Sequence, residues 1–172
     1  MTEREYRLVA LGAADQTFLD ELLYHAIYVA PGQAPPPREI LDDPSLSRYV
    51  AGYGREGDVG YKAVDRESGE AVGAVWVRVF SAEVPGYGFV DASVPELSIA
   101  LMPGWRGRGI GTALMKRLLA GPAGESAISL SVSEGNPAQR LYERMGFVVM
   151  KKEGSSLTMM RSGRRERLGE DA

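Results

Sequence analysis

Residues 103–119, PGWRGRGIGTALMKRLL, set four glycines and two arginines directly before a run with helical spacing. Glycine has no Cβ and tolerates left-handed backbone, so it lets successive N–H groups come close to a ligand. The helix that follows offers its unpaired N–H groups and the positive end of its dipole at the same place. Arg106 and Arg108 add permanently charged, planar donors that match phosphate oxygens. Together these residue types point to phosphate. They do not form a P-loop, because no lysine follows the glycines in the G-x-x-x-x-G-K-[ST] register. Nor do they form the G-x-G-x-x-G dinucleotide fingerprint. Gly107, Gly109 and Gly111 recur every second residue, and Leu114 stands where the third fingerprint glycine would follow.

Any phosphate affinity must be local. The 172-residue chain carries 20 Lys and Arg against 23 Asp and Glu, a net charge of −3. That balance gives no general pull toward nucleic acid or membrane, so neither is expected as a partner. The absence of cysteine excludes disulfides, thiolate metal sites and cysteine nucleophiles. A single histidine, His25, excludes a histidine-rich metal site, and no metal is expected. No apolar run approaches the roughly 18 to 20 residues that span a bilayer. The charged, alternating start MTEREYRLVA does not resemble a signal peptide, so the expectation is a cytoplasmic protein. A hydrophobic fraction of 44% and a charged fraction of 25% suit one globular domain.

The elements that must position the glycine loop follow from periodicity. Residues 5–11 alternate as a half-buried strand. A helix from about Asp15 carries Phe18, Leu19, Leu22, Leu23, Ala26 and Ile27 on one face and stops at APGQAPPP. REILDDPSLSRYVAGYG reads as a short, broken second helix. Residues 58–80 read as a hairpin around the polar turn 65–70, and 81–95 as a loop. Residues 96–102 form a strand that feeds straight into the glycine stretch and its helix. A strand over 126–133 and a second helix follow. Asn136 is the N-cap of that helix and Pro137 its first residue. Ala138, Leu141, Tyr142 and Met145 make its apolar stripe, and Gly146 its left-handed stop. FVVMKKEGSSLTMM reads as a final hairpin. The predicted domain is 1–160, with a charged, frayed tail over 161–172. This order predicts an α+β, mixed α/β fold with helices on a central sheet in a single domain.

Two of these blocks resemble the GNAT superfamily of N-acetyltransferases. Arg106-x-x-Gly109-x-Gly111, between a strand and a helix, matches the family signature [QR]-x-x-G-x-[GA]. PELSIALMPGWRGRGIGTALMKRLL is similar to the family's pyrophosphate-binding strand–loop–helix along its full length. LSVSEGNPAQRLYERMGF resembles the following block, N-x-x-A-x-x-L-Y-x-x-x-G-F, although Asn136 stands two residues before Ala138 where the family has three. The blocks cover residues 95–147, and a hairpin precedes them where the family has one.

The resemblance implies a mixed sheet splayed open after the strand 96–102, flanked by helices. Coenzyme A would lie in the splay, its pantetheine arm bonded to backbone at Leu101 and Met102. Its pyrophosphate would sit on Arg106, Gly107, Arg108, Gly109, Ile110, Gly111 and Thr112. Asn136 would contact the pantetheine or the loop in addition to capping its helix. Tyr142 matches the family tyrosine that protonates the leaving thiolate, and packing on the apolar stripe is the competing account of it. Glu96 matches a position proposed to take the amine proton, directly or through water. Members without such a base accept an amine already neutral. Glu134 is a second carboxylate candidate, and the oxyanion would fall to a backbone N–H near Leu101 or Met102.

The implied activity moves an acetyl group from acetyl-CoA to a primary amine of a small molecule or peptide in a ternary complex. The alternative is a sensory module of the same fold that holds coenzyme A without turnover. The acceptor would enter between the first helices and the loop 81–95. There Tyr24 and Tyr28 either line the entry or are ordinary aromatic surface. Tyr87, Phe89, Glu83 and Asp91 make that loop aromatic and mildly acidic, which suits a cationic or amphipathic amine. His25 and Trp76 are assigned to packing and Trp105 to covering the glycine loop. A homodimer is left open.

Overall fold

The computed structural model describes residues 5–165. Seven strands form one mixed sheet in the order β1-β2-β3-β4-β5-β7-β6. They are β1 (Tyr6–Ala10), β2 (Val59–Asp65), β3 (Ala71–Arg78), β4 (Glu96–Leu101), β5 (Ile128–Ser133), β6 (Val148–Glu153) and β7 (Ser156–Arg161). The helices are α1 (Gln16–Ala26), α2 (Pro44–Ser47), α3 (Ile110–Ala120) and α4 (Ala138–Arg144). All neighbours pair antiparallel except β4 and β5, which run parallel and share one register pair, Glu96 with Ser129. Beyond that pair the two strands part, so the sheet is splayed at its middle.

Strand alternation divides the side chains between two cores. From β3, Val75 and Val77 face α3 and α4, together with Leu97, Ile110, Leu114, Leu118, Ile128, Leu130 and Tyr142. Ala74 and Trp76 face the other way, onto Leu19, Leu22 and Leu23 of α1 and onto Tyr49, Val50 and Tyr53 after α2. Because β3 is covered on both faces, AVGAVWVR is an almost unbroken apolar run. β6 is the sheet's edge, exposed along its whole length, and its lysines Lys151 and Lys152 blunt that edge against pairing.

Several boundaries differ from the sequence expectation. A 3₁₀ turn, Ala13–Asp15, precedes α1, because the Asp15 carboxylate turns back to accept the Gly12 N–H at 2.9 Å. The expected second helix is a 3₁₀ turn, Arg38–Asp42, followed by the single turn of α2, whose N–H at Ser45 is capped by Asp43 at 2.9 Å. The predicted tail boundary at residue 161 is corrected. Arg161 belongs to β7 and donates from Nε to the Met145 carbonyl at 2.8 Å. Arg164 donates to the carbonyls of Leu119 and Gly121, so it caps the end of α3. Residues 166–172 of the predicted tail lie outside the described residues. Among the described residues, no helix is long and apolar enough to cross a membrane, and no three acidic or histidine side chains are grouped to hold a metal.

Candidate active site

β4 delivers the chain to the mouth of the splay. The Met102 N–H donates to Val72 O at 2.8 Å, so Met102 still completes the ladder with β3. In an antiparallel pair the peptide groups point alternately toward and away from the neighbour. Ala100 and Ser98 therefore also face β3, whereas Leu97, Ile99 and Leu101 turn their N–H and C=O groups toward β5, where pairing stops after residue 96. This corrects the expectation for Met102. Its amide is spent inside the sheet, and Leu101 carries the amide that faces the splay.

The loop after β4 has the predicted character. Gly104, Gly107 and Gly109 take φ of +87°, +74° and +81°, a region side chains rarely enter. Gly109 is the N-cap of α3, and no side chain caps the helix there. The N–H groups of Ile110, Gly111 and Thr112 thus open the helix as orphan donors, and the first ladder bond is Ala113 N–H to Gly109 O at 3.1 Å. A Cβ at Gly107 or Gly109 would meet nothing within 4 Å. The cradle faces open space. It fits a pyrophosphate on the chemistry of its donors alone. Arg108 lies 4.9 Å over the Trp105 ring, and Arg106 donates to the His25 carbonyl at 3.0 Å, tying this loop to the end of α1.

Glu96 is not a solvated strand end. Its side chain is only 3% exposed and lies on the α1–α2 face of the sheet. One carboxylate oxygen accepts the Tyr49 hydroxyl, and the other accepts the Gly88 N–H at 3.0 Å. The Tyr87 N–H in turn donates to the Tyr49 oxygen at 2.7 Å. Gly86 and Gly88 are required by close approach. A Cβ at Gly86 would strike the Glu96 carboxylate and the Tyr49 hydroxyl, and one at Gly88 would strike the backbone of β5 at Leu130. Burial pushes Glu96 up to about 7, with the bonds from Tyr49 and Gly88 pulling the other way. Burial also raises the Tyr49 phenol, and the Glu96 carboxylate beside it adds to the rise.

Tyr142 lies on the other face, packed in the α3–α4 core with its ring edge-on to Phe147 at 6.2 Å. It is 7% exposed, and its hydroxyl has no hydrogen-bond partner among the described residues. Burial alone pushes it up to about 12, so it stays protonated. Asn136 caps the start of α4 by accepting the Ala138 N–H at 3.0 Å. Glu134 pairs with Lys152 at 3.0 Å on an exposed surface, away from Glu96 and its partners. Across the splay, the Tyr28 hydroxyl donates to Gly135 O at 3.3 Å, while Tyr24 bonds Pro36 O at 2.6 Å. Asp91 caps the Ser93 N–H at 2.8 Å, and Trp76 donates to Tyr49 O at 3.0 Å in the core.

Sequence reasoning missed Tyr49. It also missed Ser129, whose fully buried hydroxyl sits across from Glu96 with no protein partner. Both stand far along the chain from Glu96, so no local spacing could link them to it.

The site thus combines a splayed sheet, an uncapped glycine cradle at its mouth and a buried carboxylate on its inner strand. A sequence model of the acetyltransferase (GNAT) domain matches residues 50–149, and the chain belongs to that family. No curated protein sequence matches it significantly. Among solved structures, the GNAT domain of S. lividans PAT is 18% identical with a TM-score of 0.62, covering 91% of this chain and 90% of that one. PaiA N-acetyltransferase from Thermoplasma acidophilum, solved with coenzyme A, is 16% identical with a TM-score of 0.60, covering 94% and 99%. The histone acetyltransferase HPA2-related protein of Corynebacterium glutamicum is 23% identical with a TM-score of 0.62, covering 92% and 97%. At these identities the likeness is one of fold.

Proposed function

We propose that the protein transfers an acetyl group from acetyl-CoA to a primary amine of a small molecule or peptide, by direct attack in a ternary complex. The observation that carries this reading is the uncapped, glycine-lined start of α3 beside the unpaired edge of β4. The coenzyme A complex of the Thermoplasma protein supports the same donor for this fold. When bound, the donor supplies an activated acetyl group. The N–H groups of residues 110–112 hold its pyrophosphate, with Arg106 and Arg108 adding charge. The edge of β4 at Ile99 and Leu101 holds the pantetheine arm, and the Leu101 N–H faces the developing oxyanion.

Two side chains then move protons. Glu96 takes one from the bound ammonium, which frees the nitrogen lone pair that then attacks the thioester carbonyl and forms the C–N bond. A carboxylate near 7 is half ionised at neutral pH, which suits a base that must pick up and later release a proton. Tyr142 gives its phenolic proton to sulfur as the C–S bond breaks, and the second proton that the acylated nitrogen sheds restores the phenol through solvent. A hydroxyl without a hydrogen-bond partner among the described residues is available for that donation. The test is thiol release over a panel of primary amines. Turnover with at least one acceptor establishes the transferase; tight acetyl-CoA binding without release for any acceptor leaves the sensory module instead.

A further inference from the structure

Tyr49 stands 47 residues before Glu96 in sequence, yet its hydroxyl touches the Glu96 carboxylate. The frame around it is buried and hydrogen-bonded. Trp76 donates from its indole N–H to the Tyr49 carbonyl at 3.0 Å. Arg78 donates to the carbonyls of Arg48 and Ala51, at 2.9 and 2.6 Å, on either side of Tyr49. The same guanidinium makes a two-pronged pair with Asp58 at 3.0 and 2.8 Å, and both side chains are all but fully buried. The Tyr49 ring meets Phe80 edge-on at 5.2 Å and stacks on Tyr87 at 6.4 Å. The short α2 turn alone would not hold one phenol so firmly.

We propose that Tyr49 is the positioning residue of the acceptor-side base: its hydroxyl holds and aims the Glu96 carboxylate, and the Trp76–Arg78–Asp58 frame fixes Tyr49 for that purpose. The proposal rests on Glu96 being the base. Tyr49 keeps its own proton throughout; the proton taken from the amine ends on Glu96. A hydrogen bond donated to a carboxylate favours its ionised form, so Tyr49 keeps Glu96 from rising as far as burial would take it. Arg78 on β3 is the cross-strand partner of Glu96, but its charge is committed to Asp58. From β5 the group opposite is Ser129, which does not titrate in this range. From the loop the Gly88 N–H is the other donor. Tyr49 is the side chain that sets the balance.

The experiment titrates Glu96 by carboxyl-carbon NMR in glutamate-labelled protein, using Glu96→Gln to assign the signal, alongside pH profiles of kcat/KM. Tyr49→Phe keeps the ring and loses the donor. Its Glu96 midpoint and the acid limb of its profile both move up by about one pH unit, the scale of one charge-assisted hydrogen bond. At pH 7 that lowers kcat/KM by about fivefold, with recovery near pH 9. Incorporating 3-fluorotyrosine at position 49 makes a stronger donor and moves both downward, a graded response that a packing role would not give. An unchanged Glu96 midpoint in both variants overturns the proposal. If instead Glu96→Gln keeps full activity and a flat profile, the base reading falls, while the NMR midpoints still decide whether Tyr49 tunes Glu96.

Discussion

Glu96 is a carboxylate held in a place that resists its charge. Its folded-state value near 7 lies above the ordinary 4.5. The protonated form therefore favours folding. That contribution is fully present below about pH 4.5 and is lost as pH rises through 7. Glu96→Gln removes the titration, so the stability of wild type relative to this variant should fall between pH 5 and 8, by on the order of a few kcal/mol. Urea titrations at several pH values measure it, and parallel curves would show that the carboxylate is not desolvated. Tyr142 gives a second prediction at this scale. Its hydroxyl bonds to nothing among the described residues, so Tyr142→Phe should leave stability within about 1 kcal/mol of wild type. As general acid its loss should still lower kcat by roughly 10² to 10⁴, with acetyl-CoA affinity in calorimetry unchanged. Full kcat in that variant, with chemistry rate-limiting, leaves Tyr142 a packing residue. The positions of both residues on their elements were legible because each stands inside a continuous motif; their roles remain the proposal. Tyr49 was not, because its meaning lies in a contact across 47 residues, and SRYVAGYG carries no local mark of it.

The glycine loop was the most legible element, since its left-handed backbone is written in residue type. The structure separates its glycines by the kind of freedom each needs. Gly109 sits at φ +81° as the N-cap of α3, with open space where a Cβ would go. Gly111 is already helical, and its Cβ would meet Leu141 at 3.6 Å and Ile99 at 3.8 Å, ordinary contacts. Gly109→Ala should cost about 1 kcal/mol of stability from left-handed strain. It should also weaken acetyl-CoA at least tenfold, because the new methyl group enters the open side of the cradle. Gly111→Ala should be neutral or stabilise by about 0.5 kcal/mol and keep the donor affinity. Denaturant unfolding and calorimetry read both. Equal affinity losses would place the pyrophosphate elsewhere. The second helix was less legible. The segment reads as short and broken, and the break into a 3₁₀ turn and one α-turn falls at Asp43–Pro44, where the Asp43 carboxylate caps the Ser45 N–H and Pro44 opens the new turn.

Which strands pair is a property of the whole molecule, and periodicity cannot supply it. Alternation marked β4 and β5 as strands, but their parallel pairing through a single register pair came only through the family resemblance. That arrangement makes β4 two-sided in a way hydrogen exchange can read. Ala100 and Met102 point their N–H groups at β3, as the Met102 bond to Val72 demonstrates. Ile99 and Leu101 point theirs into the splay, beyond the last β5 pairing. In the free protein, residue-resolved exchange should therefore be slow at Ala100 and Met102. At Ile99 and Leu101 it should be at least tenfold faster, because those amides lack a partner strand. If a pantetheine arm adds to this edge as an extra strand would, acetyl-CoA should slow Ile99 and Leu101 selectively and leave Ala100 and Met102 as they were. A uniform slowing along all of β4 would report general stabilisation by ligand and not edge pairing. Fast exchange at Ile99 and Leu101 that persists under saturating acetyl-CoA would mean that the donor binds without using the splay.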